Sequence, residues 1–265
     1  MDTFTAAPDV DVITTAITIP GLGMVPVNAF VLHGDEPLLV DTGPVVEAEQ
    51  FLVTLAGVID PADLRWLWLT HPDFDHIGAL HRLLEMNSEL RVVTTFLGMG
   101  ILGLFSPLPP DRVVLVNPGQ QIEIGGRTLE AFKPPVFDNP ATTGFCDLTS
   151  RFVWSSDCFG ALLPEIPQRA ADIDEQALRD GQVFWATVDS PWLHGVDPAA
   201  FRQKLETIRD MEPAMVLSSH LPPADGSMVD LLISSVGSAP GASPFVGPDQ
   251  AALEAMLASM AGGPG

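Results

Sequence analysis

The chain has 265 residues, 46% of them hydrophobic and 17% charged, which is enough apolar material for one large core and argues against disorder. Its 34 acidic and 12 basic residues leave a formal net charge of −22. Such a surface repels nucleic acid and anionic membrane, both of which need positive charge to hold them.

In chain order, the N-terminal MDTFTAAPDVDV carries acids and no apolar core, so it does not read as a signal peptide. Residues 10–21, VDVITTAITIPG, alternate and are β-branched, which predicts a strand. Residues 28–34 and 37–43 (PLLVDTG) predict two more strands around a turn at GDE. Residues 46–59 carry apolar side chains at helical spacing and stop at Asp60-Pro61. LRWLWLT (64–70) predicts a short buried strand, HIGALHRLLEMN (76–87) a helix and LRVVTT (90–95) another strand. The long apolar stretch 92–110 holds glycines and ends in prolines, too short and broken for a membrane span.

Residues 112–132 contain two turn signals, NPG and GG, between short alternating runs, and predict antiparallel strands. RFVWSSD (151–157) and AMVLSSH (214–220) predict strands, 197–211 predicts an amphipathic helix and 248–260 a last helix. The final AGGPG is expected to fray. The strand–helix alternation gives an α/β class, with one domain over 8–260 and a flexible tail at 261–265.

Cys146 and Cys158 form no CxxC, which excludes a zinc ribbon, a rubredoxin-type iron site and a dithiol redox motif. Reduced thiols and the absence of a signal sequence lead to the expectation of a cytoplasmic protein.

Four of the buried-looking runs end in ligand-type residues: Asp41, His71, Asp157 and His220. Sites in α/β sheets collect at strand ends, where loops leave a rigid scaffold. In THPDFDHIGAL, His71, Asp73, Asp75 and His76 occupy six positions. A helix N-cap would explain Asp75 alone, but not four ligand types together.

This stretch resembles the signature of the metallo-β-lactamase superfamily, usually His-x-His-x-Asp-His. LLVDTG, SSD at 155–157 and SSH at 218–220 follow in the matching order. Asp73 stands where the common pattern has a second histidine, and a carboxylate there resembles the flavodiiron and oxygen-binding diiron branch. GQQIEIGGRTLEAF and SSDCFG are similar to the same branch. That branch carries a histidine some twenty residues before the bridging aspartate. This chain has none there, and Asp138 in VFDNP matches the position best.

The resemblance implies a four-layer αββα sandwich and two metal ions. One ion would be held by His71, Asp73 and Asp138, the other by Asp75, His76 and His220, with Asp157 bridging. The first half of the chain would supply 71–76 and Asp138, the second Asp157 and His220. Three imidazoles and four carboxylates form a hard, oxygen-rich set, which favours iron, with manganese or zinc as the other candidates.

Asp41 is expected to accept a hydrogen bond from a ligand. His194, in a Trp-flanked loop, is a candidate pocket or catalytic residue, whereas His33, His81 and Cys158 read as surface or core.

Three functions follow. The first is an oxidoreductase that reduces O2, NO or peroxide, or uses O2 on a small substrate. It would carry no flavin in this chain and would need an electron donor in trans. The second is a two-metal hydrolase of lactones, thioesters or phosphodiesters, in which Asp75 orients the attacking hydroxide. With no tyrosine in the chain, an oxyanion there would fall to arginine, His194 or backbone N–H groups. The third is a diiron sensor of O2 or redox state. A homodimer is compatible with all three. The apolar segments FLGMGILGLFSPLPP and LLISSVGSAPGASPF are candidates for pocket walls, core or dimer contact.

Overall fold

In the computed structural model, which describes residues 1–261, the alternating runs become two sheets. The first sheet holds β1 (Asp2–Ala7), β2 (Val10–Ile19), β3 (Gly23–Leu32), β4 (Leu38–Val40), β5 (Trp66–Trp68), β6 (Arg91–Thr94) and β7 (Val113–Leu115), side by side in chain order. Strands β1 to β4 pair antiparallel, and β4 to β7 pair parallel. The second holds β8 (Gln121–Ile124), β9 (Arg127–Phe132), β10 (Gly144–Asp147), β11 (Phe152–Ser156), β12 (Met215–Ser218) and β13 (Leu221–Asp225). Here β11 and β12 are the parallel pair, and the other neighbours run antiparallel.

Successive side chains of a strand point to opposite faces, and that period of two sorts the core into layers. Phe30, Leu38, Val40, Trp66, Trp68 and Val93 turn inward and meet Leu129, Phe145, Trp154 and Leu217 of the second sheet. Their neighbours Val31, Leu39, Leu67 and Val92 turn outward, under α1 (Ala48–Ala56), α2 (Leu80–Met86) and α3 (Phe96–Leu102). Val216 and Leu221 face outward on the second sheet, under α4 (Glu175–Asp189), α5 (Pro198–Asp210) and α6 (Val229–Val236). A last helix, α7, spans Gln250–Ala261. The result is the four-layer αββα sandwich anticipated from the motifs. No described helix is long and apolar enough to cross a membrane.

Some local expectations are corrected. The NPG signal does not close a hairpin: β7 pairs parallel with β6 in the first sheet, and the chain then crosses to β8 in the second. The helix expected from His76 begins only at Leu80. The segment between is held to the strand-end loop after β4, because Thr42 N–H donates to His76 O, Gly78 N–H to Gly43 O and Ala79 N–H to Thr42 O. These cross-segment bonds replace a first helical turn. Strands β1, β10 and β13 and helices α3, α4 and α6 are absent from the periodicity reading. The LLISS segment forms α6 and packs into the core. The terminal AGGPG lies outside the described residues from position 262 onward.

Candidate metal centre

The parallel strands of both sheets end at one place. Asp41 follows β4 and His71 follows β5, while Asp157 follows β11 and His220 follows β12. Two backbones there take the left-handed conformation, Asp41 with φ 57° and Ser156 with φ 52°. Such outliers persist where the surroundings impose them, and they cluster at functional sites.

Each imidazole is oriented through its Nδ1. His76 Nδ1 donates to Asp41 Oδ2 at 2.8 Å, and His220 Nδ1 donates to the Pro26 carbonyl at 2.9 Å. Thr70 gives its hydroxyl proton to Asp41 Oδ2 (2.8 Å), so its oxygen accepts from His71 Nδ1 at 3.1 Å. Asp41 Oδ1 also accepts from Thr70 N–H at 2.9 Å. With every Nδ1 occupied as a donor, each Nε2 lone pair is left facing the centre. Asn28 fixes the turn around His220 by donating to the carbonyls of Ser218 and Leu221.

The Nε2 atoms converge on carboxylates in two groups. His71 Nε2 lies 3.3 Å from Asp157 Oδ2 and 3.7 Å from both Asp73 Oδ2 and Asp138 Oδ1. His76 and His220 Nε2 each lie 3.3 Å from Asp157 Oδ1 and 3.4 Å from Asp75 Oδ2. Asp157 thus turns one oxygen to each group. These separations are long for hydrogen bonds. They match donors around a shared ion, since bonds of ~2 Å in a tetrahedron put ligand atoms ~3.3 Å apart.

Three overlapping sets can each hold an ion: His71, His76 and Asp157; Asp75, His76 and His220; His71, Asp73 and Asp138. His76 Nε2 and Asp157 Oδ2 are buried and have no hydrogen-bond partner among the described residues. Such orphaned buried polar atoms are costly, and a cation beside each, one per donor group, would remove that cost. The donor set therefore fits a pair of metal ions.

The electrostatics show the same strain. Burial, then the charge of Asp157 and contact with Asp73, pushes the Asp138 carboxyl up to about 9. Burial disfavours charge on Asp157, but His71, His220 and His76 outweigh it and hold that carboxyl well below the usual range. Burial likewise opposes charge on His220, yet Asp157 and Asp75 raise the imidazole to about 9. His71 is lowered, with burial the main cause.

The structure brings six of the seven sequence-predicted candidates, His71, Asp73, Asp75, His76, Asp157 and His220, together at the strand ends. Asp138 joins them, but from the β9–β10 connection of the second sheet rather than from the first half of the fold. Its neighbour Asn139 donates to Asp73 Oδ1 at 2.6 Å and so ties the two exposed carboxylates together. His194 belongs to none of the three sets. It stands on the short turn Pro191–Gly195, with Nε2 buried and unpartnered among the described residues.

The motifs give no sign of Thr70, Asn139, Lys133 or Asp189. Lys133 caps the carbonyls of Asn139, Pro140 and Thr142 in the Asp138 loop. Asp189 ends α4, and burial followed by the charge of Asp157 raises it to about 7. Cys158 is a fully buried core thiol, and both cysteines are free.

Residues 25–220 match the family model described as ODP family beta lactamase. The chain is 28% identical over 134 residues to diflavin flavoprotein A 1 of Synechocystis, covering 50% of this chain and 23% of that one. It is 24% identical over 169 residues to the rubredoxin-oxygen oxidoreductase of Megalodesulfovibrio gigas, covering 62% and 41%. The flavodiiron protein from Giardia intestinalis superposes with a TM-score of 0.78 at 18% identity, over 91% of this chain and 59% of that chain. The chain thus spans less than half the length of these curated relatives. The chain belongs to the ODP family of beta-lactamase-fold proteins and shares the metallo-β-lactamase-like core of the flavodiiron proteins.

Proposed function

We propose that this chain is the metal-binding core of a diiron oxidoreductase that reduces O2 or NO with electrons from a separate donor. The carrying observation is Asp157, which turns one carboxylate oxygen to each of two donor groups. On this reading His71, Asp73 and Asp138 hold one ion, and Asp75, His76 and His220 hold the other. The oxygen-rich donors favour iron over zinc. Two relatives are named as a diflavin flavoprotein and a rubredoxin-oxygen oxidoreductase, which supports redox chemistry.

Bound together, the two ions would supply electrons to a diatomic substrate. The chain's own residues supply the rest. The imidazoles and Asp157 form a dry base, with side chains at most 4% exposed. Asp73, Asp75 and Asp138 form the mouth, with side chains 26–36% exposed, so substrate and protons enter from their side. Asp41 and Thr70 hold the rings in place through Nδ1. Asp189, held to about 7 near Asp157 and Asp75, can keep and release a proton at its carboxyl around neutral pH.

The test uses one preparation in two forms. Dithionite-reduced, iron-loaded protein is mixed with O2 or NO, and the zinc form is given lactones, thioesters and phosphodiesters. Rapid uptake, falling at least a hundredfold in Asp157→Ala, is expected. Cleavage by the zinc form with an iron form inert to O2 and NO would replace this function with hydrolysis.

A further inference from the structure

Beside the cluster runs a groove of about 420 Å3, walled by 15–17 of β2, 44–47 after β4, and Phe74 and Asp75 of the motif turn. Asp75 belongs to both the groove and the donor cluster, so an occupant would lie against the candidate centre. The volume falls in the range of small-molecule sites. The walls are largely apolar and open to water: Ile17 is 42% exposed, Val45 47%, Phe74 71% and Val46 93%. Neighbouring exposed apolar side chains of this kind mark a binding surface.

The groove's polar groups are specific. It is lined by two carboxylates, Glu47 and Asp75, and by no lysine, arginine or histidine. One Glu47 oxygen, Oε2, is buried with no hydrogen-bond partner among the described residues. Glu47 has no cation beside it in the groove, so it repels a phosphate and accepts from a hydroxyl, and Asp75 Oδ1, which none of the ring contacts uses, can accept as well. The chain's charge of −22 deepens that repulsion for nucleotides, phosphorylated flavins and acidic carrier proteins.

We infer that this groove binds a neutral, apolar hydroquinone as the electron donor of the centre. The inference rests on the redox reading above. The ring packs against Phe74, Ile17 and the Pro44–Val46 wall, while its hydroxyls donate to Glu47 and Asp75. Oxidation breaks both O–H bonds and releases two electrons and two protons, leaving a quinone whose oxygens only accept. Carboxylates that held the hydroquinone then face acceptor oxygens, which favours release. Two hydroquinones and one O2 give two quinones and two waters, with all four electrons and four protons accounted for.

The probe is tetramethylhydroquinone, titrated anaerobically by calorimetry into iron-loaded protein that has been reduced with dithionite and desalted. Wild type is expected to bind it, and to bind neither NADH nor reduced flavin mononucleotide. Glu47→Gln and Ala16→Trp, both at partly or fully exposed positions, are each expected to weaken binding at least tenfold, with unchanged far-ultraviolet circular dichroism. Oxygen uptake driven by the hydroquinone should fall in parallel. No binding by wild type, unchanged binding in both variants, or tighter binding of the nucleotides overturns the assignment. If dithionite-reduced wild type consumes O2 while the hydroquinone neither binds nor is oxidised, the groove assignment fails and the redox reading stands. If the hydroquinone binds but the reduced protein is inert to O2 and NO, the redox reading fails and the donor role with it.

Discussion

Asp41 makes none of the close contacts with the ring Nε2 atoms, yet it takes hydrogen bonds from Thr70 N–H, Thr70 Oγ1 and His76 Nδ1. It could be read from LLVDTG, because an acid ending a buried strand has few structural uses. Thr70, Asn139 and Asp189 could not. Their roles arise only when distant segments meet, as Asn139 meets Asp73 across 66 positions. The same crowding predicts how the metal-free protein responds to pH. Asp138 and Asp189 are raised to about 9 and about 7, so above pH 4 the folded state holds protons that the unfolded chain has lost. Their effect is a stability that falls as pH rises through those values. His220, raised to about 9, gives a stabilisation that is complete below the unfolded value of 6.5 and is lost on approaching 9, with the same sign. Melting temperatures of metal-free protein should therefore drop, on the order of 5 °C, between pH 5.5 and 9. Metal-loaded protein should show the opposite slope, because ligands must lose protons to bind. A metal-free melting temperature that climbs over this range contradicts the geometry of the site.

Among elements, the strands were the legible part. LRWLWLT, RFVWSSD and AMVLSSH read as buried runs, and each forms a strand that ends beside a candidate donor, His71, Asp157 or His220. The helix after the motif starts at Leu80, later than its amphipathic spacing suggests, because that spacing is visible in sequence while the competing hydrogen bonds to 42–43 are not. The position of Asp138 is legible in the motif order but its sheet is not, since NPG reads as a hairpin and instead begins a crossing between sheets. Gly78 shows how tightly the motif turn is clamped. A Cβ there would lie 2.4 Å from the Pro44 carbonyl oxygen and 2.5 Å from that of Gly43. Backbone cannot yield as a flexible side chain can, so Gly78→Ala should cost ~3 kcal/mol. It should also lower metal content, because Asp75 and His76 precede it on the same turn. Calorimetric unfolding and metal analysis check both effects, and a variant with wild-type stability and metal content would show that the turn is not clamped.

For the whole molecule, the sandwich brings the carboxyl ends of two parallel strand pairs, one from each sheet, to a shared edge. Each sheet supplies part of the candidate donor set, so the proposed centre should form only when the two are packed together. The net charge of −22 is consistent with a chain that concentrates carboxylates around bound cations, although most of its acids lie elsewhere on the surface. The central claim is that one carboxylate, Asp157, joins two ions of iron. The measurement that tests it most directly is the iron and zinc content per chain of protein purified without added metal, determined together by mass spectrometry for wild type and Asp157→Ala. Two irons in wild type and no more than one in the variant are predicted. Two zincs without iron, or a single ion of any kind in the wild type, would contradict it.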